Sequence, residues 1–329
     1  MESISKTPVD RATAEAIVGD ALGLDVTVTS FDELTEGWFN AAYALTLDDA
    51  RRVVLKVAPP PGVEVLTYER DIVHAEVEAL RLIGSATDAP VPEVLWFDDS
   101  NRHVPSPLFL MTHIAGSSLS AIGPELTPDE RLAVDAALGR HLRSINDLTN
   151  AAATDDRFGL LAPGAERFAT WSGSFTAQFE SVLADGERAG VELPVPYDEI
   201  RAAVRAGADA LDEVTEAHLV YWDLWDGNVL VDGSTHELTG MLDLERALWG
   251  DPLMEGQFGP HSHSDALSEA YGPIDTTSPG ARWRRALYTL HLHAVMSIEG
   301  AYRQYPEDPV GDWAKTQLAD DLERCLVRD

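Results

Sequence analysis

Leu219-Val-Tyr-Trp-Asp-Leu-Trp-Asp-Gly-Asn-Val-Leu-Val231, followed shortly by Gly240-Met-Leu-Asp-Leu-Glu245, is the stretch on which the reading of this chain turns. Two apolar, strand-like runs each deliver an acidic residue, Asp223 and Asp243, to the edge of a loop. Asn228 sits five residues after the first. A carboxylate placed to take a proton, with an amide oxygen and a second carboxylate placed to hold a hard cation, is the set that metal-assisted phosphoryl transfer from a nucleotide requires. The same residues also suit a β-hairpin with acidic turns, because Asp, Asn and Gly are ordinary turn formers. Chemistry is the preferred reading of the two.

Composition narrows the class. The chain has 329 residues, enough for two lobes and a sizeable core. An apolar fraction of 45% fits a globular protein rather than a disordered one. No apolar run approaches the roughly 20 residues that span a bilayer. Met-Glu-Ser-Ile-Ser-Lys6 lacks the charged-then-apolar pattern of a signal segment, and a cytoplasmic, soluble protein is expected. The lone cysteine, Cys325, excludes an intramolecular disulfide and offers no zinc cluster. A net charge of −32 argues against nucleic acid or an anionic membrane as partner, since both need clustered Lys and Arg. It is compatible with a cationic substrate, but it is spread along the chain in the manner of a proteome-wide bias. It does not name the acceptor.

Thr7-Pro-Val-Asp10 reads as a capping box opening a helix to about Leu22. Strand patterns follow at residues 26–31, 41–47 and 52–57, and a helix at 67–83. Two more strands fit residues 93–97 and 108–114. Beyond the small-residue connector at 115–119, helices dominate: one opened by the capping box Thr127-Pro-Asp-Glu130, then 168–188, 197–214, 281–305 and 310–327.

Lys56 is one of only three lysines and lies inside Val53-Val-Leu-Lys-Val57. Alternation puts Val53, Leu55 and Val57 on one face and Val54 with Lys56 on the other. A lysine reaching nucleotide phosphates and a protective edge-strand lysine both fit, and the first is preferred in a chain that otherwise uses Arg. On the next helix, Val73, Val77 and Leu80 make an apolar stripe, and Glu76 falls within it. Glu76 can pair with Lys56, or lie at the stripe's edge and reach water. The loop Glu36-Gly-Trp-Phe-Asn40 can aim backbone N–H groups at phosphate oxygens, and equally can be a plain hairpin turn.

In order and content these features resemble the aminoglycoside phosphotransferase and choline kinase-like enzymes, relatives of protein kinases. That family shows His-Gly-Asp, four residues, Asn, and then Ile-Asp-Phe/Leu-Glu/Asp. The resemblance implies an α+β, bilobal protein-kinase-like fold: a small antiparallel-sheet N-terminal lobe with one main helix over residues 1–114, and a larger, mainly helical C-terminal lobe over 115–329. It implies Asp223 as catalytic base, Asn228 and Asp243 as magnesium ligands, and Lys56 on the α- and β-phosphates with Glu76 as its partner. Phe109-Leu-Met-Thr-His-Ile-Ala-Gly116 resembles the family's hinge, which implies base contacts from the backbone of Thr112 and Ile114. The loop from Gly37 to Asn40 would cover the phosphates, and Gly250-Asp-Pro252 resembles the family's Gly-Asp-Pro.

Tyr221 stands where the family has histidine, and Trp222 and Trp225 replace smaller or polar residues. A tyrosine with its own hydroxyl can serve as the loop's scaffold, so a tuned enzyme is expected. The implied function is a small-molecule kinase using ATP or GTP with Mg²⁺, acting on a hydroxyl of an antibiotic or a metabolite, as a monomer or homodimer. The alternative is a non-catalytic nucleotide-binding module of the same fold. Asp226 is read as a solvated turn residue in preference to an amine trap. His261 and His263 are read as loop residues, His291 and His293 as facing different ways on a helix, and Cys325 as non-catalytic.

Overall fold

A computed structural model describes residues 6–35, 39–150, 157–259, 264–305 and 307–326. Gly37, His261 and His263 therefore lie outside the described residues.

Five strands, β1 (Val28–Leu34), β2 (Ala41–Leu47), β3 (Arg52–Val57), β4 (Val94–Asp98) and β5 (Leu108–Thr112), form one antiparallel sheet in the order β1-β2-β3-β5-β4. Helix α1 (Arg11–Leu22) covers one face, where Ile17 and Val18 pack with Val53, Leu55 and Val57. The alternation expected of β3 is realised, and Lys56 turns to the opposite face. There α2 (Ile72–Ala86) lies, burying Val73, Val77, Leu80 and Ile83 together with Glu76. At about 1.5–3 kcal/mol per fully buried aliphatic side chain, that stripe outweighs the cost of carrying one paired carboxylate inside.

Two helix starts differ from their sequence patterns. Asp10, rather than Thr7, caps α1 by accepting the Thr13 N–H, while the Thr7 hydroxyl donates to the Ala58 carbonyl. The helix expected from residue 67 is interrupted: residues Thr67–Glu69 form a 3₁₀ turn, Asp71 takes φ +58°, and α2 starts afterwards. Tertiary contacts hold that turn apart. Asp185 accepts from the Thr67 N–H at 2.5 Å and its hydroxyl at 2.8 Å, and Glu69 is buried against Arg303.

After β5 the chain passes Gly116, whose φ of +149° and close approach to the Thr239 hydroxyl and Val231 carbonyl leave no room for a Cβ. Then come β6 (Ser117–Ser118), α3 (Pro128–Asn146), β7 (Gly159–Leu160), α4 (Trp171–Arg188), α5 (Tyr197–Ala206) and β8 (His218–Val220). The chain continues with β9 (Val229–Val231), β10 (Leu238–Met241), β11 (Leu248–Gly250), α6 (Asp265–Tyr271), α7 (Pro279–Arg303) and α8 (Pro309–Leu326). Thr127 and Glu130 form the expected capping box of α3. The helix patterned over 197–214 breaks at Gly207, and the one from 168 begins only at Trp171, because Phe168 bridges back to Phe158. The architecture is the bilobal, protein-kinase-like fold. None of the described helices is long and apolar enough to cross a membrane.

Candidate active site

The opening stretch does not fold as one hairpin. Strand β8 pairs with β11, whereas β9 pairs with β10 and β6, so the segment from Tyr221 to Asn228 bridges two small sheets. The β9–β10 hairpin then brings Asp243 back beside it, and the Leu242 N–H donates to the Asn228 carbonyl at 2.8 Å.

Buried Glu255 anchors this loop. Its carboxylate accepts the N–H groups of Tyr221 at 2.7 Å and Trp222 at 2.9 Å, and the Asn146 amide at 2.9 Å. Burial pushes its carboxyl up to about 7 even against those three donors. The Tyr221 ring is fully buried and its hydroxyl donates to the carbonyl of Leu242, tying the loop to the residue before Asp243. Trp222 has φ +67° and Asp243 φ +64°. The left-handed backbone at Trp222 is one that glycine adopts freely, and glycine is what the family pattern carries there. Here a bulky residue is held by its surroundings: the indole stacks on His291 at 5.3 Å and meets the Tyr68 edge at 5.8 Å.

Asp223 follows, with its side chain 28% exposed. Burial pushes its carboxyl up to about 6, with Arg246 opposing the shift and Asp243 adding to it. Asn228 is buried, and its Nδ2 donates to the Asp223 carbonyl at 2.9 Å. That bond orients the amide.

Lys56 reaches this site from β3. Its Nζ lies 2.6 Å from Glu76 Oε2, 2.5 Å from Asp243 Oδ1 and 3.1 Å from Glu245 Oε2. Burial would lower the ammonium's pKa, but the carboxylates of Asp243, Glu245 and Glu76 outweigh it and hold it well above the ordinary value. Three acids cannot all ionise comfortably around one cation. Glu245 is pushed up to about 8 by burial and by Asp243, and Glu76 to about 7 by burial against Lys56. Asp243 keeps its charge: burial would raise it, yet Lys56 and Arg246 hold it below the usual range. Oxygens of Glu76, Asp243 and Glu245 lie within 4.8 Å of one another. Such a set of hard oxygens fits Mg²⁺ and lacks the nitrogen and sulfur donors that zinc prefers.

Most of the residues singled out by sequence therefore converge, with differences in detail. Asn40, expected in a phosphate-covering loop, is buried and donates its Nδ2 to Glu245 Oε2 at 2.5 Å. The N–H of Thr112 is engaged by the Glu93 carbonyl at 2.9 Å, which leaves the carbonyl as this residue's backbone contribution. Ile114 packs its side chain against Gly240 on β10. Asp226 is neither free nor merely solvated: Arg131 grips it with two bonds of 2.8 and 3.0 Å. His293 is buried 2.5 Å from Asp321, and His291 lies against Trp222 with its ring held neutral, burial pushing it down to about 3. Cys325 is buried and its thiol pushed up to about 12 by burial.

Sequence reading missed Glu245, Arg246 and Glu255. The signal for the first was its two-residue spacing from Asp243, which returns it to the same side of an extended segment. The signal for Arg246 was a basic residue directly after the acidic pair Asp243 and Glu245, at the entry to the apolar run Ala247-Leu-Trp249. Glu255 offered none, because its partners come from residues 109 and 34 positions away.

Known proteins share this fold. A protein from Thermobifida fusca YX-ER1, named as a candidate fructosamine-3-kinase, superposes with a TM-score of 0.67 at 19% identity, covering 95% of this chain and 98% of that one. A similar candidate from Haemophilus somnus 129PT gives 0.68 at 15% identity, covering 95% of this chain and 97% of that one. A thermostable mutant of aminoglycoside phosphotransferase APH(4)-Ia, in ternary complex with AMP-PNP and hygromycin B, gives 0.61 at 18% identity, with 95% and 98% covered. These likenesses show the fold. The model of the phosphotransferase enzyme family, APH, matches residues 30–256, from the first sheet through Glu255 and so across every element that builds the cleft, and the chain belongs to that family.

Proposed function

We propose that the protein is a small-molecule kinase that transfers the γ-phosphoryl group of a nucleoside triphosphate, ATP or GTP, to a hydroxyl of its acceptor. The observation that carries this reading is the convergence of Lys56, Glu76, Asp243 and Asn228 with a half-buried Asp223 whose carboxyl is pushed up to about 6. A base in that range is ionised at neutral pH yet still basic enough to take a proton.

Asp223 accepts the proton of the acceptor hydroxyl as that oxygen attacks in line. Lys56, released from Asp243 toward the phosphates and steered by Glu76, neutralises phosphate oxygens whose charge shifts during transfer. Asn228 and Asp243, with Glu245 beside them, supply the oxygens that would hold Mg²⁺. When bound, the cation would supply charge neutralisation on the triphosphate. Asn40 fixes the Glu245 carboxylate. The carbonyl of Thr112 and the backbone of Ile114 would take the base; Gly37, expected in the phosphate-covering loop, lies outside the described residues. The buried Tyr221 and its hydroxyl bond to Leu242 support a working loop rather than a disabled one, which favours an enzyme over a non-catalytic module.

The acceptor carries hydroxyls and an amine, as do the hygromycin B and fructosamine named for the structural relatives. An aminoglycoside-like antibiotic and a sugar-derived metabolite are its two candidate classes, with a macrolide-like antibiotic the less favoured. The charge of −32 fits such an acceptor and opposes a nucleic acid. The test is a nucleotide-consumption screen of the purified protein with Mg²⁺, using ATP and GTP against a panel of antibiotics and hydroxylated amines. Consumption that depends on one acceptor class is expected. No acceptor-dependent consumption across the panel, with nucleotide still bound, would favour the non-catalytic module.

A further inference from the structure

Arg246 has no place in the motifs of the cleft, yet it reaches the candidate base. Its guanidinium lies over the Tyr68 ring at 5.7 Å and the Trp222 ring at 5.9 Å, the two rings meeting edge to face. On one side Nη2 faces both carboxylate oxygens of Glu299 on α7, at 3.4 and 3.3 Å. On the other, Nε stands 3.9 Å from Asp223 Oδ2. That Nε–H is buried and has no hydrogen-bond partner. Glu299 is itself fixed by Arg303 at 3.0 Å, and Arg303 is paired with buried Glu69 in the turn before α2. Acid and base thus alternate from the sheet lobe to the catalytic loop: Glu69, Arg303, Glu299, Arg246, Asp223.

We propose that Arg246 is the positioning residue of Asp223, a step that rests on reading Asp223 as the base. A carboxylate can rotate about its terminal bond, and as a base it works only when a lone pair faces the incoming hydroxyl. A cation fixed beside Oδ2 selects the orientation that leaves Oδ1 for the acceptor. The separation of 3.9 Å is an ion-pair distance, and a small closing movement gives the idle Nε–H its acceptor. Arginine suits the task where lysine does not. Its guanidinium lies over two aromatic rings while separate nitrogens address Asp223 and Glu299. Glu299 and the Glu69–Arg303 pair set where the guanidinium sits, so the aim of the base depends on both lobes.

The test uses the whole chain. Unfolding temperatures of Arg246→Gln, Asp223→Asn and the double variant need no acceptor. If the two side chains interact, the double variant loses less than the sum of the single losses; additive losses overturn the proposal. Turnover is then measured with Mg-ATP and an acceptor that the wild type phosphorylates. Arg246→Gln and Arg246→Lys should lower kcat on the order of tenfold to a hundredfold, with Mg-ATP affinity by calorimetry held within about twofold. Guanidinium, added at a concentration too low to unfold the protein, should restore part of the kcat of Arg246→Ala and none in Asp223→Asn. An unchanged kcat, or a loss of Mg-ATP affinity equal to the loss of kcat, overturns it. If the wild type itself consumes no nucleotide, the kinase reading fails, and the unfolding comparison still decides whether Arg246 holds Asp223.

Discussion

The surroundings of Lys56 and those of Asp223 are built on opposite principles, although both lie in one cleft. Lys56 is held by charge: three carboxylates from α2 and from the segment after β10 crowd one ammonium, and excess acid is relieved by raised pKa values. The backbone that carries Asp223 is held by hydrogen bonds and aromatic packing: Glu255 ties down two N–H groups, Tyr221 is sunk in the core, and Trp222 keeps a left-handed conformation. The first arrangement can exchange partners when a phosphate arrives. The second is rigid, as a base that must keep its aim should be.

The largest expected effect separates the two functions. Asp223→Ala should cut turnover on the order of 10²–10⁴-fold while leaving nucleotide affinity nearly intact. Retained turnover would remove Asp223 from the role of base. Lys56→Met should do the reverse, weakening nucleotide binding and destabilising the fold by about 3–5 kcal/mol, because buried Glu76 and Glu245 and half-buried Asp243 lose the cation they share. Thermal unfolding with and without Mg-ATP measures both.

The pH responses should also differ in direction. Glu76 and Glu245 hold protons in the folded state up to about 7 and about 8, whereas the unfolded chain releases them in the ordinary carboxylate range. Their contribution to stability is therefore complete in acid and lost as pH rises through those values. The nucleotide-free protein should melt lower at pH 8.5 than at pH 6, and Lys56→Met should steepen that slope. A flat melting profile would mean the cluster is relaxed by other means. Turnover runs the other way, falling as pH drops through about 6 and Asp223 becomes protonated.

Smaller effects probe the rigid loop. Glu255→Gln leaves one of the Tyr221 and Trp222 N–H groups poorly satisfied and should cost about 1–3 kcal/mol, with a matching loss of kcat. If only stability falls, Glu255 serves the core rather than the aim of the loop. Tyr221→Phe removes a single hydroxyl bond and should cost about 1 kcal/mol, with turnover little changed. A collapse of turnover there would show that the tie to Leu242 transmits the position of Asp243.

Much of this site was legible because its elements are local. The period-two alternation of β3 put Lys56 apart from Val53 and Leu55, and the 3.6-residue stripe of α2 put Glu76 inside. The capping box at Thr127 needs only four residues, and it appears as read. The failures share one cause. The helix expected from residue 67 is broken by Asp185 and Arg303, which lie more than a hundred positions away. Asp226 was read as a solvated turn residue because its partner, Arg131, lies 95 positions away on α3.

By itself, then, the sequence determined which residue types can do the chemistry and which face of each element they occupy, since periodicity and spacing are properties of a short stretch of chain. Only the tertiary structure decided what each charge meets. Asp223 and Asn228 lie in a bridge between two sheets rather than in one hairpin, and Lys56 gathers three acids where one partner was expected. Glu255 and Arg246 acquire their roles from residues brought near by packing. Burial makes those encounters matter, because a charge removed from water must be matched by whatever the fold places beside it.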